Sequence, residues 1–266
     1  MRQRIEEQTY RQIVMELLDQ FVEFCEMHGL RYYLAYGTCL GAVRHRDMIP
    51  WDDDIDVSMP REDYNRFLRL AKEQNVAFRV FCENSPEGYP LYYAKISSPG
   101  TVIESTYMRD IEGLGTFVDI FPMDEVFLKP GSAKKLTRKM EFLTQMMALS
   151  AMKKHWPSGN PIKNTVKKVI FRCSNMVGNR YWRDQIAATI SSAVSKKETD
   201  APSYLLWSTV LPASVFGAGT IVKFGERAYV CPADTDRYLT CMYGDYMTLP
   251  PAEHRVSVHD FEAWHG

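Results

Sequence analysis

Four carboxylates fall within five positions of the stretch IPWDDDIDVSMP, at Asp52, Asp53, Asp54 and Asp56, and the chain then runs into the β-branched, apolar residues of a strand. Like charges packed this closely repel, and in a partly desolvated place they hold protons unless a cation sits among them. Along an extended strand residues two apart share a face, so Asp54 and Asp56 project together while Ile55 and Val57 turn to the core. Two carboxylates at that spacing suit a hard divalent cation such as Mg2+, which completes its shell with water and phosphate oxygens. An exposed acidic turn would carry the same letters, so Asp-x-Asp by itself does not decide.

Two other stretches bear on the choice. Upstream, AYGTCLG puts Gly37 and Thr38 where a strand turns into a helix. Amides and a hydroxyl at a helix N-terminus cradle phosphate, and Thr38 reads as the N-cap. Downstream, Asp119 sits inside the apolar run TFVDIFP, where an unpaired carboxylate would be costly to bury. A third acid there, on a neighbouring strand, would complete a metal site and draw the proton from an attacking hydroxyl. Lys95, in YYAKISS, reads either as a neutraliser of phosphate charge or as a solvated strand lysine. Arg44 and His45 precede the acids on a loop within reach of phosphate, although His45 equally reads as a surface residue. Trp51, Tyr36, Tyr89, Tyr92 and Tyr93 offer ring faces of the kind that hold a quaternary ammonium, and the core is the commoner place for such rings.

The elements that must position these residues follow from periodicity. Apolar residues from Glu6 to His28 recur at three- and four-residue steps, ahead of Gly29, and predict a leading amphipathic helix. Leu30 to Gly37 reads as a strand, Thr38 onward as a short helix with a loop to Pro50, and Ile55 to Met59 as a strand closed by Pro60. REDYNRFLRLAKEQN reads as a helix, and FRVFCEN, YYAKISS and TVIEST as short strands separated by SPEGYP and SPG. A buried strand is expected from Thr116 to Phe121, stopped by Pro122. Between Lys129 and Arg183 lie thirteen Lys and Arg but one acidic residue, Glu141, with apolar residues at helical spacing broken by HWPSGNP. TIVKFGERAYVCP reads as a hairpin turning at Gly225, DTDRYLTCMYG as a short helix, and the remainder as an irregular tail.

The totals exclude several classes. With 32 Lys and Arg against 33 Asp and Glu, the net charge of −1 gives no global sign of a nucleic-acid partner. Six scattered cysteines form no C-x-x-C pair, as expected of reduced thiols in a cytoplasmic protein. No run approaches the roughly 18 apolar residues of a membrane span.

The order of strand, Gly-Thr turn, helix, Asp-x-Asp opening a strand, and a later strand with one acid resembles the nucleotidyltransferase fold. The longer wording, YGTCLGAVRHRDMIPWDDDIDVSMPREDY, GTFVDIFPMDEV and YLTCMYGDYM, resembles the LicD family. The resemblance implies an α/β (α+β) protein, with a nucleotidyltransferase-like core whose mixed β-sheet is flanked by helices, plus a basic helical insertion. The expected division is a catalytic core over 1–127, the basic helical lobe over 128–214, and a C-terminal segment over 215–266 that packs back on the core. The implied reaction moves a phospho-alcohol, phosphocholine first, from a CDP-alcohol to a hydroxyl of a cell-surface glycan or lipid-linked glycan precursor, releasing CMP. Carried onto this sequence, Asp54, Asp56 and Asp119 are the catalytic acids and hold Mg2+, or Mn2+ in its place, as a two-ion centre. Gly37 and Thr38 form the phosphate turn, and Lys95, Arg44, His45 and Asp53 complete the donor site. Asp53 acts either by direct ligation or by supporting the loop. The span from Thr38 to Asp54 is longer than many nucleotidyltransferases use, so RHRDMIPW must fold into or over the site. The same acids also suit attack on an NTP with release of pyrophosphate, and a catalytically silent scaffold is the alternative of another class. The basic lobe suits an acidic glycan or the inner face of the cytoplasmic membrane, and equally a solvated lysine face.

Overall fold

The computed structural model describes residues 2–83, 85, 89–157, 159–257 and 260–266. Residues 86–88 of the SPEGYP turn, residue 158 of the HWPSGNP break and residues 258–259 of the tail lie outside them. In chain order the elements are α1 (Glu7–His28), β1 (Tyr33–Leu34), α2 (Tyr36–Arg44), β2 (Asp56–Pro60), α3 (Arg61–Glu73), β3 (Arg79–Phe81), β4 (Ala94–Ser97), β5 (Thr101–Ser105), β6 (Phe117–Val126), α4 (Pro130–Ser150), α5 (Pro161–Val177), α6 (Asn179–Val194), β7 (Ser203–Leu206), β8 (Thr209–Pro212), β9 (Thr220–Phe224), β10 (Arg227–Cys231), α7 (Thr235–Tyr243) and β11 (Phe261–His265).

The helix α1 buries Val14, Leu17, Leu18, Phe21 and Cys25 along one stripe, as its spacing predicts. It ends at Gly29, whose φ of 58° is the left-handed turn a glycine takes without Cβ strain, and Leu30 N–H donates back to the Cys25 carbonyl at 2.9 Å. The stripe packs against a mixed sheet with strand order β1-β2-β6-β4-β3, to which the β7–β8 hairpin is added. β2 and β6 run parallel at its centre, with Asp56 opposite Asp119, and β4 lies antiparallel on the other edge of β6 with Lys95 opposite Asp119. The register therefore aligns an acid, an acid and a lysine on three adjacent strands.

Several expectations are corrected. Pro122 does not stop β6, which runs ten residues to Val126. Asp119 N–H donates to Ile55 of the β2 side, so by alternation the Pro122 nitrogen faces the other edge. There β4 has ended at Ile120 and β7 begins at Met123, so no ladder bond is lost. The first strand covers only Tyr33–Leu34, because the chain already turns into α2 at Tyr36. Thr38 is inside that helix and Ala35 is the N-cap. The irregular tail contains a strand, β11, paired antiparallel with β5. Gly225, φ 62°, turns the β9–β10 hairpin as expected.

The basic stretch forms α4, α5 and α6, followed by β7 and β8, which belong to the central sheet. Among the described residues no helix is long and apolar enough to cross a membrane. All six cysteines are free.

Candidate active site

β2 opens at Asp56, so Asp54 stands on the extended approach to the strand and its side chain still meets that of Asp56, as two-residue spacing requires. The parallel register brings Asp119 alongside, and ligand oxygens of Asp54, Asp56 and Asp119 lie within 4.8 Å of one another. Oxygens on opposite sides of one Mg2+ stand about 4.2 Å apart, twice the usual bond length, so a small contraction encloses the ion. Burial first, then the charges of Asp54, Asp119 and Asp52, hold the Asp56 carboxyl well above the usual carboxylate range, and Lys95 offsets part of that rise. Three hard oxygen donors whose mutual repulsion exceeds what one ammonium offsets fit a divalent cation.

Lys95 is buried and paired with Asp119 Oδ1. Its ammonium also lies 3.5 Å from the Phe117 ring centre, which fixes the stem over an apolar face. The solvated-lysine reading is thereby excluded on position, since the side chain is 8% exposed.

The first turn of α2 borders the acids. Thr38 Oγ1 accepts from the Asp56 backbone N–H at 2.8 Å, tying helix to strand. A Cβ on Gly37 would stand 2.5 Å from Asp52 Oδ2, so only glycine admits that carboxylate against the helix start, where the dipole favours negative charge. Tyr36 begins the helix at φ 43°, strained for a residue with a side chain, and its N–H donates to Tyr238 Oη at 3.0 Å. Asp52, Asp53 and Asp54 also form an acidic group, and Asp53 Oδ2 accepts from Ser257 Oγ.

Arg44 and His45 lie at the far end of α2, about 9 Å along the axis from Thr38. Arg44 Nη1 donates to the Tyr246 carbonyl at 2.8 Å, and partial burial lowers its pKa. His45 meets the Trp51 ring edge-on, with its pKa lowered by burial and by Arg44. The structure thus joins Asp54, Asp56, Asp119 and Lys95, sets Gly37 and Thr38 beside them, and places Arg44 and His45 at the C-terminal end of α2. Of the rings, Tyr36 and Tyr93 pack on Phe121, with centroids at 5.2 and 4.3 Å, Tyr92 stacks on Trp207, and Tyr89 is buried in the core.

One residue escapes sequence reasoning. Arg11, on the solvent edge of α1, sends Nη2 to the carbonyls of Ile49, Pro50 and Asp52 at 3.2, 2.8 and 2.9 Å, and so holds the acidic loop. An arginine in a surface helix gives no local signal of such a role. Tyr243 stands near the acids, its phenol pKa raised by burial and then by Asp56, Asp52 and Asp54.

An α+β sheet with converging acids at the opening of its parallel central pair corresponds to a known domain type. Residues 29–149 match the family described as LicD/FKTN/FKRP, nucleotidyltransferase domain, a span that contains every acid of the cluster. The chain belongs to the LicD family: it is 30% identical over 261 residues, 95% of each chain, to the lipopolysaccharide cholinephosphotransferase LicD of Haemophilus influenzae. A shorter similarity, 53% over 45 residues, links 17% of the chain to 9% of the human ribitol 5-phosphate transferase FKRP. Another, 31% over 67 residues, links 25% of it to 14% of the ribitol-5-phosphate transferase FKTN of Macaca fascicularis.

Proposed function

We propose that this chain is a phosphotransferase that moves a phospho-alcohol, phosphocholine first, from a CDP-linked donor to a hydroxyl of a cell-surface glycan precursor. The observation that carries the reading is the convergence of Asp54, Asp56 and Asp119 beside Lys95, in a chain similar over nearly its whole length to a cholinephosphotransferase. In the transfer, the acceptor oxygen bonds to the phosphorus that bears the alcohol. The bond from that phosphorus to the bridging oxygen breaks, and CMP leaves. Asp54, Asp56 and Asp119 would hold Mg2+ or Mn2+, which when bound neutralises pyrophosphate charge and lowers the pKa of the attacking hydroxyl. Asp119 receives the proton of that hydroxyl, and the Lys95 ammonium paired with it adds positive charge where the leaving phosphate gathers its negative charge. The first turn of α2, with Gly37 and Thr38, borders the donor phosphates. The strained Tyr36 and the Arg11-bound loop fix the acids before substrate arrives.

Calorimetric titration with CDP-choline, CDP-glycerol, CDP-ribitol and CTP, each with and without Mg2+, tests the reading, followed by product analysis. Metal-dependent binding of one CDP-alcohol in preference to CTP, with CMP as product, is expected. Binding of CTP alone with release of pyrophosphate would replace the reading by nucleotidyl transfer, and Asp54→Ala that keeps full turnover would overturn the role of the acids.

A further inference from the structure

The helix α5 carries Ile162, Val166, Val169, Ile170, Met176 and Val177, all exposed, with Ile162 at 77% and Met176 at 86%. At 3.6 residues per turn these fall in one arc of roughly 120°. Only Ser174 is fully buried, and the inward side is pinned to its neighbours. Ser174 Oγ donates to the Met146 carbonyl at 2.6 Å, Asn175 Nδ2 to the Leu149 carbonyl at 3.2 Å, and Asn164 bonds His155 at 3.1 Å. These anchors turn the apolar arc away from the protein. Lys163 and Lys167 flank it on one side and Lys168 and Arg172 on the other, with no acidic residue in the helix. Beside the arc, between α4 and α5, lies a cavity of about 350 Å³ lined by Leu149, Met152, Trp156 and Ile170, with the Lys167 head, the His155 ring and the Gln145 amide as its polar groups.

We propose that the outward face of α5 docks on the surface of an anionic lipid bilayer. The apolar stripe enters the boundary between headgroups and acyl chains while the four cationic side chains reach the headgroup phosphates from both flanks. A helix with an outward apolar stripe, basic margins and no acid has the composition that an anionic interface takes up. A second copy of the chain is a poorer occupant, because packing stripe on stripe brings four cations against four with no acid in either helix to pair them. The adjacent cavity offers the same chemistry on a smaller scale, room for hydrocarbon beneath a lysine. The contact stands apart from the transfer reaction: docking is read without donor or metal, so either can fail alone.

Flotation of the full chain with vesicles tests it, comparing phosphatidylcholine alone with vesicles containing about one-third phosphatidylglycerol. Binding to the anionic vesicles and its loss near 0.5 M salt, where the screening length is only about 4 Å, are expected. Replacing Lys163, Lys167, Lys168 and Arg172 by Gln should weaken binding on the order of a hundredfold, at about fivefold per charge before mutual screening. Val166→Ser with Val169→Ser, both at exposed positions, should weaken it by more than tenfold with the circular dichroism unchanged. Absence of binding by the wild type at low salt, or equal binding by the folded variants, would overturn the proposal. So would a concentration-dependent dimer that the two serines dissociate, which would assign the face to a second copy.

Discussion

Lys95→Met is the substitution with the most to say about the site. Methionine keeps the length and apolar character of the stem over Phe117, so packing is largely retained while the ammonium is lost. Lys95 and Asp119 are 8% and 7% exposed, so the charge left behind has little water to take it up. Breaking a buried pair by removing one partner costs about 3–5 kcal/mol. Here Asp54 and Asp56 stand beside the abandoned carboxylate, which places the loss toward the upper end. At about 2–4 °C per kcal/mol for a chain of this size, the melting temperature at neutral pH should fall by on the order of 10 °C or more. The deficit should shrink as pH falls toward about 4, because protonation of the carboxyls removes the repulsion. It should also shrink on adding Mg2+, which supplies the missing charge. The double substitution with Asp119→Asn should recover part of the loss, giving a coupling of about 2–3 kcal/mol in a thermal or urea denaturation cycle. A single variant within about 1 kcal/mol of wild type, or strictly additive effects, would refute the view that the pair holds the acids together.

Three further outcomes are expected. Gly37→Ala should push Asp52 off the start of α2, lowering kcat/KM at least tenfold with a stability loss of about 1–3 kcal/mol, measured by steady-state kinetics and denaturation. Because the folded-state pKa of Asp56 is raised, metal-free protein should be more stable near pH 5 than at pH 7 as far as this group is concerned, its contribution being complete below about 4 and lost as pH rises through the folded value. Scanning calorimetry across pH should show that slope, and saturating Mg2+ at 100 times its Kd should add about 2.7 kcal/mol at pH 7 and far less at pH 5. Arg11→Met should leave the core intact and weaken binding of metal and donor, with the loss appearing in the entropy measured by titration calorimetry.

What was legible in the sequence was whatever a local pattern records. The stripe of α1, the spacing of Asp54 and Asp56, and the conspicuous Asp119 in an apolar run each announce themselves, and strand register does the rest by setting Asp56 and Lys95 on either side of Asp119. The β7–β8 hairpin was hidden, because its two-residue turn is Trp207-Ser208 with Trp207 at φ 53°, a place where Gly or Asn would ordinarily mark the turn. Strand β11 was hidden because its partner β5 lies more than 150 residues away and FEAWH shows no alternation. Pro122 misled for a tertiary reason, since only the change of neighbours from β4 to β7 makes a proline acceptable there.

The guanidinium of Arg11 takes up three carbonyls of the acidic loop at once. Unheld, those oxygens would face water in many arrangements, and each arrival of a ligand would have to select one of them. With the loop fastened to the first helix, that ordering belongs to the folding of the polypeptide. A ligand that reaches the acids then meets a loop already in place, and the cost of ordering it is not charged to binding.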